Sequence, residues 1–390
     1  MSVTTTELEI SDYAGAMAAL KNPALAQALY DEGRVVMEDA LITLHGDAHT
    51  KRRITEFGVF NRAFFRTYES EIFPRTLNPI LEHYLKLGRA DLVELGYRLT
   101  MNLTADFAGI DREDSVEETE ALLDLVKIFS SGATLVHSTE NRAEIEARVN
   151  SAMVSFEERF LTPSIDRRKS LIAEKKSLPN DVLSKLLEQD DLLPPDILRR
   201  EMAFYLQAGA HSTANSTTHA IHEILTWCDD VPERRARFRD KRMVQRAVHE
   251  SLRLHPASPV AWRKPMESTY VEDNPLDTDD RIVINLQAAN RDVSVFGEDA
   301  DTFNPQRALP GNVWPYGLSF GYGVHACLGK SLDGGVVPKE GAASHEQFGI
   351  VTLLVHTLLE HDANWIPEDM PRPDERTSRA NWGYYPVSLR

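Results

Sequence analysis

Apolar side chains recur along most of this chain every three to four residues, the spacing of one face of a helix. Ala14 to Leu29 shows it, with a break at Pro23. Thr67 to Phe107 shows it again, punctuated near Gly88 and Gly109. Val116 to Phe129 continues the pattern until Ser131-Gly132 breaks it. Asn141 to Leu161 predicts a long helix that stops before Pro163. Arg167 to Leu178 is charged and predicts an exposed stretch, and Pro179-Asn180-Asp181 caps a short helix through Leu187. Pro194-Pro195-Asp196 opens the longest helix, to about Trp227. Gly349 to Leu359 is apolar enough for a core helix. Strand signals are few: Arg281 to Leu286 alternates, and Pro259 to Arg263 is extended. The pattern predicts a mainly α chain with a small β portion. With no internal repeat and no long linker, residues 1–390 are expected to form a single domain.

Composition narrows the function classes. The 390 residues are 42% hydrophobic, enough for a large core. Formal net charge is −17, which argues against general nucleic-acid binding, since that needs a basic footprint. No stretch approaches the roughly 20 unbroken apolar residues of a membrane span. The first fifteen residues show no apolar run of a signal peptide, and two cysteines, Cys228 and Cys327, are too few for a disulfide framework. A reducing cytoplasm is the expected location.

One of those cysteines sits in an unusual stretch, Phe320-Gly321-Tyr322-Gly323-Val324-His325-Ala326-Cys327-Leu328-Gly329. Its glycines let a backbone pass close to something flat. Leu328 to Leu332 predicts a helix start, whose free N–H groups favour a thiolate on Cys327. A lone cysteine is more often a small buried hydrophobe, but that role needs neither the glycines nor His325. Phe320, Gly323, His325, Cys327 and Gly329 fit the pattern F-x-x-G-x-H-x-C-x-G, and the stretch resembles the haem-binding loop of the cytochrome P450 family. The resemblance implies a P450-like fold, haem b (iron protoporphyrin IX) as cofactor, Phe320, His325 and Gly329 in the haem loop, and Cys327 as the axial iron ligand. A thiolate ligand pushes electron density onto iron and favours O–O cleavage.

Other segments acquire a reading from that resemblance. Asp47 predicts an N-cap for a helix carrying His49 and Arg53 on one face. In isolation they make a solvated basic face; by resemblance they hold the haem propionates, with Arg263 as a third cation. Ala208-Gly209-Ala210-His211-Ser212-Thr213 interrupts the longest helix with small and hydroxylated residues. Close helix packing would explain it alone. By resemblance it is the distal segment, with His211 where an acid is usual and Ser212 where a threonine is usual. His211, Ser212 and Thr213 are then the candidate catalytic residues. A histidine relay would make oxygen coupling vary with pH between about 5.5 and 7.5. Glu250 and Arg253 lie three apart on a helix ending near Pro256; as a surface pair they would matter little. The resemblance joins them with Arg307 in a structural network. It also assigns substrate walls to Phe129, Ala208, Gly209, Val260, Ala261 and Trp382.

Two departures from the family pattern stand out. His49 comes early in the chain, so the fold is expected to have a shortened N-terminus, without the first helix and the opening strands of the small sheet. Asp333 to Gln347 interrupts the helix after Leu332 as a loop. The implied function is a cytoplasmic haem-thiolate monooxygenase that inserts one oxygen atom of O2 into an apolar small molecule. Electrons would come from a ferredoxin or flavodoxin-type donor with its reductase. Lys51, Arg52, Arg62, Arg66 and Lys330 are candidates for a basic patch facing that donor. Two alternatives remain open: a peroxide-driven or otherwise atypical haem-thiolate oxidant, and a haem-binding sensor or carrier without turnover.

Overall fold

The computed structural model describes residues 6–229, 231–271, 273–337 and 347–390, with the side chain of Arg62 outside that set. The chain forms two compact units: residues 1–29, 216–365 and 390 make the first, and 30–215 and 366–389 the second. The boundary falls inside the longest helix, Pro195–Asp229.

In the first unit, four strands make a sheet in the order Glu7–Ile10, Arg281–Asn285, Val260–Pro265, Leu25–Gln27. Strand Arg281–Asn285 alternates strictly, burying Ile282 and Ile284. Those two pack with Ile10, Leu20, Leu25, Phe296 and Leu318 into one core. The helices Lys241–Leu254 and Ile350–Glu360 belong to the same unit. Glu7–Ile10 runs parallel to Arg281–Asn285, so an opening strand is present, contrary to its expected absence. Leu25–Gln27 is likewise a strand, where periodicity predicted helix; its backbone finds partners in Arg263 to Pro265.

The second unit is helical. Leu92–Ala108, Val116–Ala133, Arg142–Phe156 and Thr162–Ala173 follow one another, each shown by its cap or its continuation. Asp91, Ser115 and Asn141 accept from backbone N–H groups at the first three N-termini. Gly109 ends the first of these helices at φ 89°, and a Cβ there would stand 2.4 Å from Asp181 Oδ1. Helix Val116–Ala133 runs through Ser131-Gly132, because Gly132 is packed against Val149 and Val36 too closely for any side chain. Pro163 does not end a helix either. A wider turn at Glu157–Leu161 absorbs the change, and Pro163 sits in the first turn of the continuation. The charged stretch beyond it is not all exposed: Arg168 is buried, paired with Asp181 at 2.6 Å and Asp111 at 2.8 Å. Asp181 does cap the short helix Val182–Leu187, as the sequence predicts.

Candidate active site

Cys327 lies exposed on the loop of the first unit, outside any disulfide. Gly321 and Gly323 take φ of 64° and 72°, values that disfavour larger residues. A Cβ on Gly323 would stand 2.7 Å from Leu20 O, so the loop lies tight on helix Tyr13–Lys21. Gly329 lies beside the sulfur, where an added Cβ would make ordinary contact with Cys327 Sγ at 3.9 Å. The Cys327 N–H donates to Phe320 O at 2.8 Å, closing the loop on itself. The helix that follows is only Lys330–Asp333. So short a helix brings little dipole to a thiolate. A single exposed sulfur on this tight, glycine-bearing loop fits a haem-thiolate cofactor. The helix does break after Asp333, with Gly335 and Gly349 at φ 74° and 83° and Val336 N–H bonded to Gln347 O; the rest of the expected loop, 338–346, lies outside the described residues.

The loop is tied to a buried ionic network. Arg253 meets Glu250 through two bonds, of 2.9 and 2.7 Å, and Arg307 Nε donates to Glu250 Oε1 at 3.0 Å. Arg253 also donates to Asn290 O at 2.6 Å and Ala300 O at 2.7 Å. Asn290 returns the contact, donating to Arg253 O and to Ser319 Oγ while accepting from Leu318 N–H at 2.7 Å. Glu250, Arg253 and Arg307 are therefore interior, not a surface pair. Asn290 carries their order to residues 318–319, directly ahead of Phe320. Nothing in the sequence pattern marked Asn290 as this link. Arg263 in the same unit is buried, while Val260, Ala261 and His325 are half-buried.

In the second unit, helix Gly46–Phe57 carries His49 and Arg53. His45, not Asp47, occupies its N-cap; Gly46 follows at φ 56° and leaves Asp47 in the first turn. His49 is buried, and burial followed by the charge of Arg53 lowers it to about 4. The expected basic patch is partly spent elsewhere. Lys51 pairs with Asp191 at 3.3 Å and Arg52 with the buried Glu201 at 2.5 Å. Arg66 is exposed, and Arg62's side chain falls outside the described residues.

The distal candidates take distinct surroundings. A Cβ on Gly209 would stand 2.6 Å from Thr104 Oγ1 of helix Leu92–Ala108, so on that side Gly209 is a close-packing position, while the residue itself is half-buried. The assignment of Phe129 to a substrate wall is corrected, because its ring is fully buried edge-on to Phe156 at 5.5 Å. Ala208 and Trp382 are half-buried, Thr213 is buried, and Ser212 Oγ donates to Ala208 O at 2.6 Å.

His211 lies in a chain that the sequence did not reveal. Arg379 Nη2 donates to His211 Nε2 at 2.6 Å, and His211 Nδ1 meets Tyr97 Oη. A guanidinium only donates, so Nε2 must be the acceptor and Nδ1 carries the proton, donating to the phenol oxygen. Burial, then the charge of Arg379, pushes His211 well below the usual imidazole range. The expected relay, switching charge between about 5.5 and 7.5, is corrected: the ring stays neutral there.

Comparison with known proteins agrees with this arrangement. The family model described as Cytochrome P450 matches residues 236–332. Pulcherriminic acid synthase of Bacillus subtilis (strain 168) is 25% identical over 83% of this chain and 78% of its own length. Cytochrome P450 107B1 of Saccharopolyspora erythraea is 28% identical over 65% of this chain and 56% of its own length. Among solved structures, CalO2 superposes with a TM-score of 0.77 at 19% identity, covering 98% of this chain and 90% of that one. Among the described residues, no helix is long and apolar enough to cross a membrane.

Proposed function

The chain belongs to the cytochrome P450 family of monooxygenases, and from that premise we propose that residues 1–390 form one catalytic domain hydroxylating an apolar small molecule. The observation that carries this reading is the exposed Cys327 on its tight glycine-bearing loop, ordered from behind by Asn290 and the Glu250–Arg253–Arg307 network. Haem b held by Cys327 supplies the activation of dioxygen that no amino-acid side chain can perform. By family resemblance, His49, Arg53 and Arg263 hold its propionates, and Phe320, His325 and Gly329 belong to the loop around Cys327.

The remaining residues orient and exclude. Ala208, Val260, Ala261 and Trp382 contribute apolar surface for substrate. Ser212 and Thr213 are the hydroxyls of the distal segment. Ser212 Oγ is committed as a donor to Ala208 O, so its lone pairs are what it can offer a water or substrate. Electrons come from a ferredoxin or flavodoxin-type donor with its reductase, in the cytoplasm.

The test is spectroscopic. The reduced carbon monoxide complex of the wild type should show the red-shifted Soret band of a thiolate-bound haem, and Cys327→His should lose it. Identical spectra for the two proteins would end this reading. Peroxide alone should not support product formation at the rate seen with the electron donor; if it does, the peroxide-driven alternative takes its place.

A further inference from the structure

The helix after the cysteine loop is broken, and helix Lys241–Leu254 bridges the break. Lys330–Asp333 is a single turn; the chain leaves it at Gly334-Gly335 and returns at Gln347 to Gly349, ahead of Ile350–Glu360. One turn has little cooperative support of its own. Gln245 and His249 lie four residues apart on Lys241–Leu254, so they share one face, and both are buried. They act on opposite sides of the break. His249 Nε2 meets Gly334 O at 2.7 Å where the chain leaves. A carbonyl only accepts, so this nitrogen carries the ring proton and donates it. Gln245 Nε2 donates to Gln347 O at 3.1 Å and to Phe348 O at 3.2 Å where the chain returns. The two sides are also tied to each other. Gln347 Nε2 reaches back to Ser331 O at 3.0 Å, and Val336 N–H donates to Gln347 O at 2.9 Å. A Cβ on Gly335 would overlap Phe348 O, and one on Gly349 would overlap Asp333 O, so the strands of the break meet backbone to backbone. The leaving side presses on the cysteine loop itself. A Cβ on Gly334 would stand 3.2 Å from the ring of Phe320. Tyr316 packs edge-on against Phe320 at 5.0 Å and against His249 at 5.4 Å. Phe320 O in turn accepts from the Cys327 N–H. Contacts therefore run without a gap from His249 through Gly334 and Phe320 to Cys327.

Resting on the monooxygenase reading, we propose that His249 and Gln245 are positioning residues for the iron ligand, a clasp that closes the broken helix and, through Gly334 and Phe320, holds the Cys327 loop in shape. Helix Lys241–Leu254 then orders that loop from both ends. Glu250 and Arg253 act through Asn290 on residues 318–319 ahead of it, and His249 and Gln245 act on the segment behind it. An unbroken helix would need no such clasp, because its own backbone bonds would carry the order onward.

The experiment titrates the haem-loaded full chain with urea and reads parallel samples in two ways. The thiolate Soret band of the reduced carbon monoxide complex reports sulfur on iron, and far-ultraviolet circular dichroism reports helix. In the wild type the band should persist until the helix signal falls. In His249→Leu, which takes the donor from Gly334 O, the loop should open locally before the protein unfolds, with at least about half of the band gone where the helix signal is still intact. His249→Gln keeps a donor and should follow the wild type. Gln245→Met removes the contacts on the returning side and should separate the two signals in the same direction. Band and helix signal falling together in His249→Leu would make the residue structural only and overturn the proposal. So would a His249→Gln variant that behaves like the leucine variant. Should His249→Leu fail to fold, Gln245→Met decides by the same criterion. A wild type without the thiolate band in the absence of urea would overturn the parent reading instead, so the two failures are distinguishable.

Discussion

At the scale of single residues, the side chain that departs from its family position does so with an identifiable partner. His211 accepts from Arg379, and a ring that accepts from a guanidinium gains nothing by protonation. Product formed per electron pair should therefore be flat between about pH 5.5 and 7.5 as far as this residue is concerned. Measured coupling that follows a single titration near 6.5 in the wild type, and is flat in His211→Phe, would contradict the neutral-acceptor geometry. Cys327 and its glycines were legible in the sequence because the whole device lies within ten consecutive residues. Arg379 was not, because its bond to His211 joins positions 168 residues apart and neither carries a local pattern. Phe129 was misplaced for a related reason. A helix position shows its period in sequence, but not which neighbour it faces.

At the scale of elements, capping and the strand alternation at Arg281–Asn285 were readable, and breakers were over-read. Ser131-Gly132 and Pro163 look like punctuation, yet the first is a packing site and the second a tolerated first-turn residue. The Glu250–Arg253 spacing was readable; its burial was not, since burial depends on residues 290, 300, 304 and 307 closing around it. That burial sets a prediction. Glu250→Ala leaves Arg253 and Arg307 without their shared carboxylate and should cost roughly 3–5 kcal/mol. The same loss propagates through Asn290 to residues 318–319, so haem content should fall with stability. Denaturant unfolding alongside absorbance at the Soret band checks both. A haem-loaded variant of normal stability would show that Asn290 holds the loop unaided.

Across the whole molecule, buried titratable groups of opposite sense share one pH range. Burial holds His249 and His137 at about 4 and pushes His211 well below the usual imidazole range. Their folded-state values lie below the unfolded reference of about 6.5, so the unfolded chain binds more protons between those limits, and stability must fall as pH drops from about 6.5 towards about 4. His49 is set aside, because the haem carboxylates assigned to it would raise it. The buried Glu201 and Glu56 act the other way. Burial raises Glu201 to about 7, against the pull of Arg52, and burial with the charge of Glu201 raises Glu56 well above the usual carboxyl range. These groups bind more protons when folded, so their contribution is present at low pH and is lost as pH rises through the folded value. His222 is depressed as well and Asp91 raised, so among the described residues four depressed imidazoles stand against three raised carboxyls, and the net acid limb should be a decline. The opposition makes the balance testable by single changes. His249→Gln keeps a donor for Gly334 O, now 2.7 Å from the ring nitrogen, and removes one titration; the decline should become shallower. Glu201→Gln keeps an acceptor for the Leu41 N–H and removes the offset; the decline should steepen. Thermal midpoints of the haem-loaded protein between pH 4.5 and 7 measure all three slopes, each group being worth at most about 1.4 kcal/mol per pH unit. If Glu201→Gln flattened the curve, its carboxyl would have to be ionised throughout, and Arg52 rather than burial would govern it.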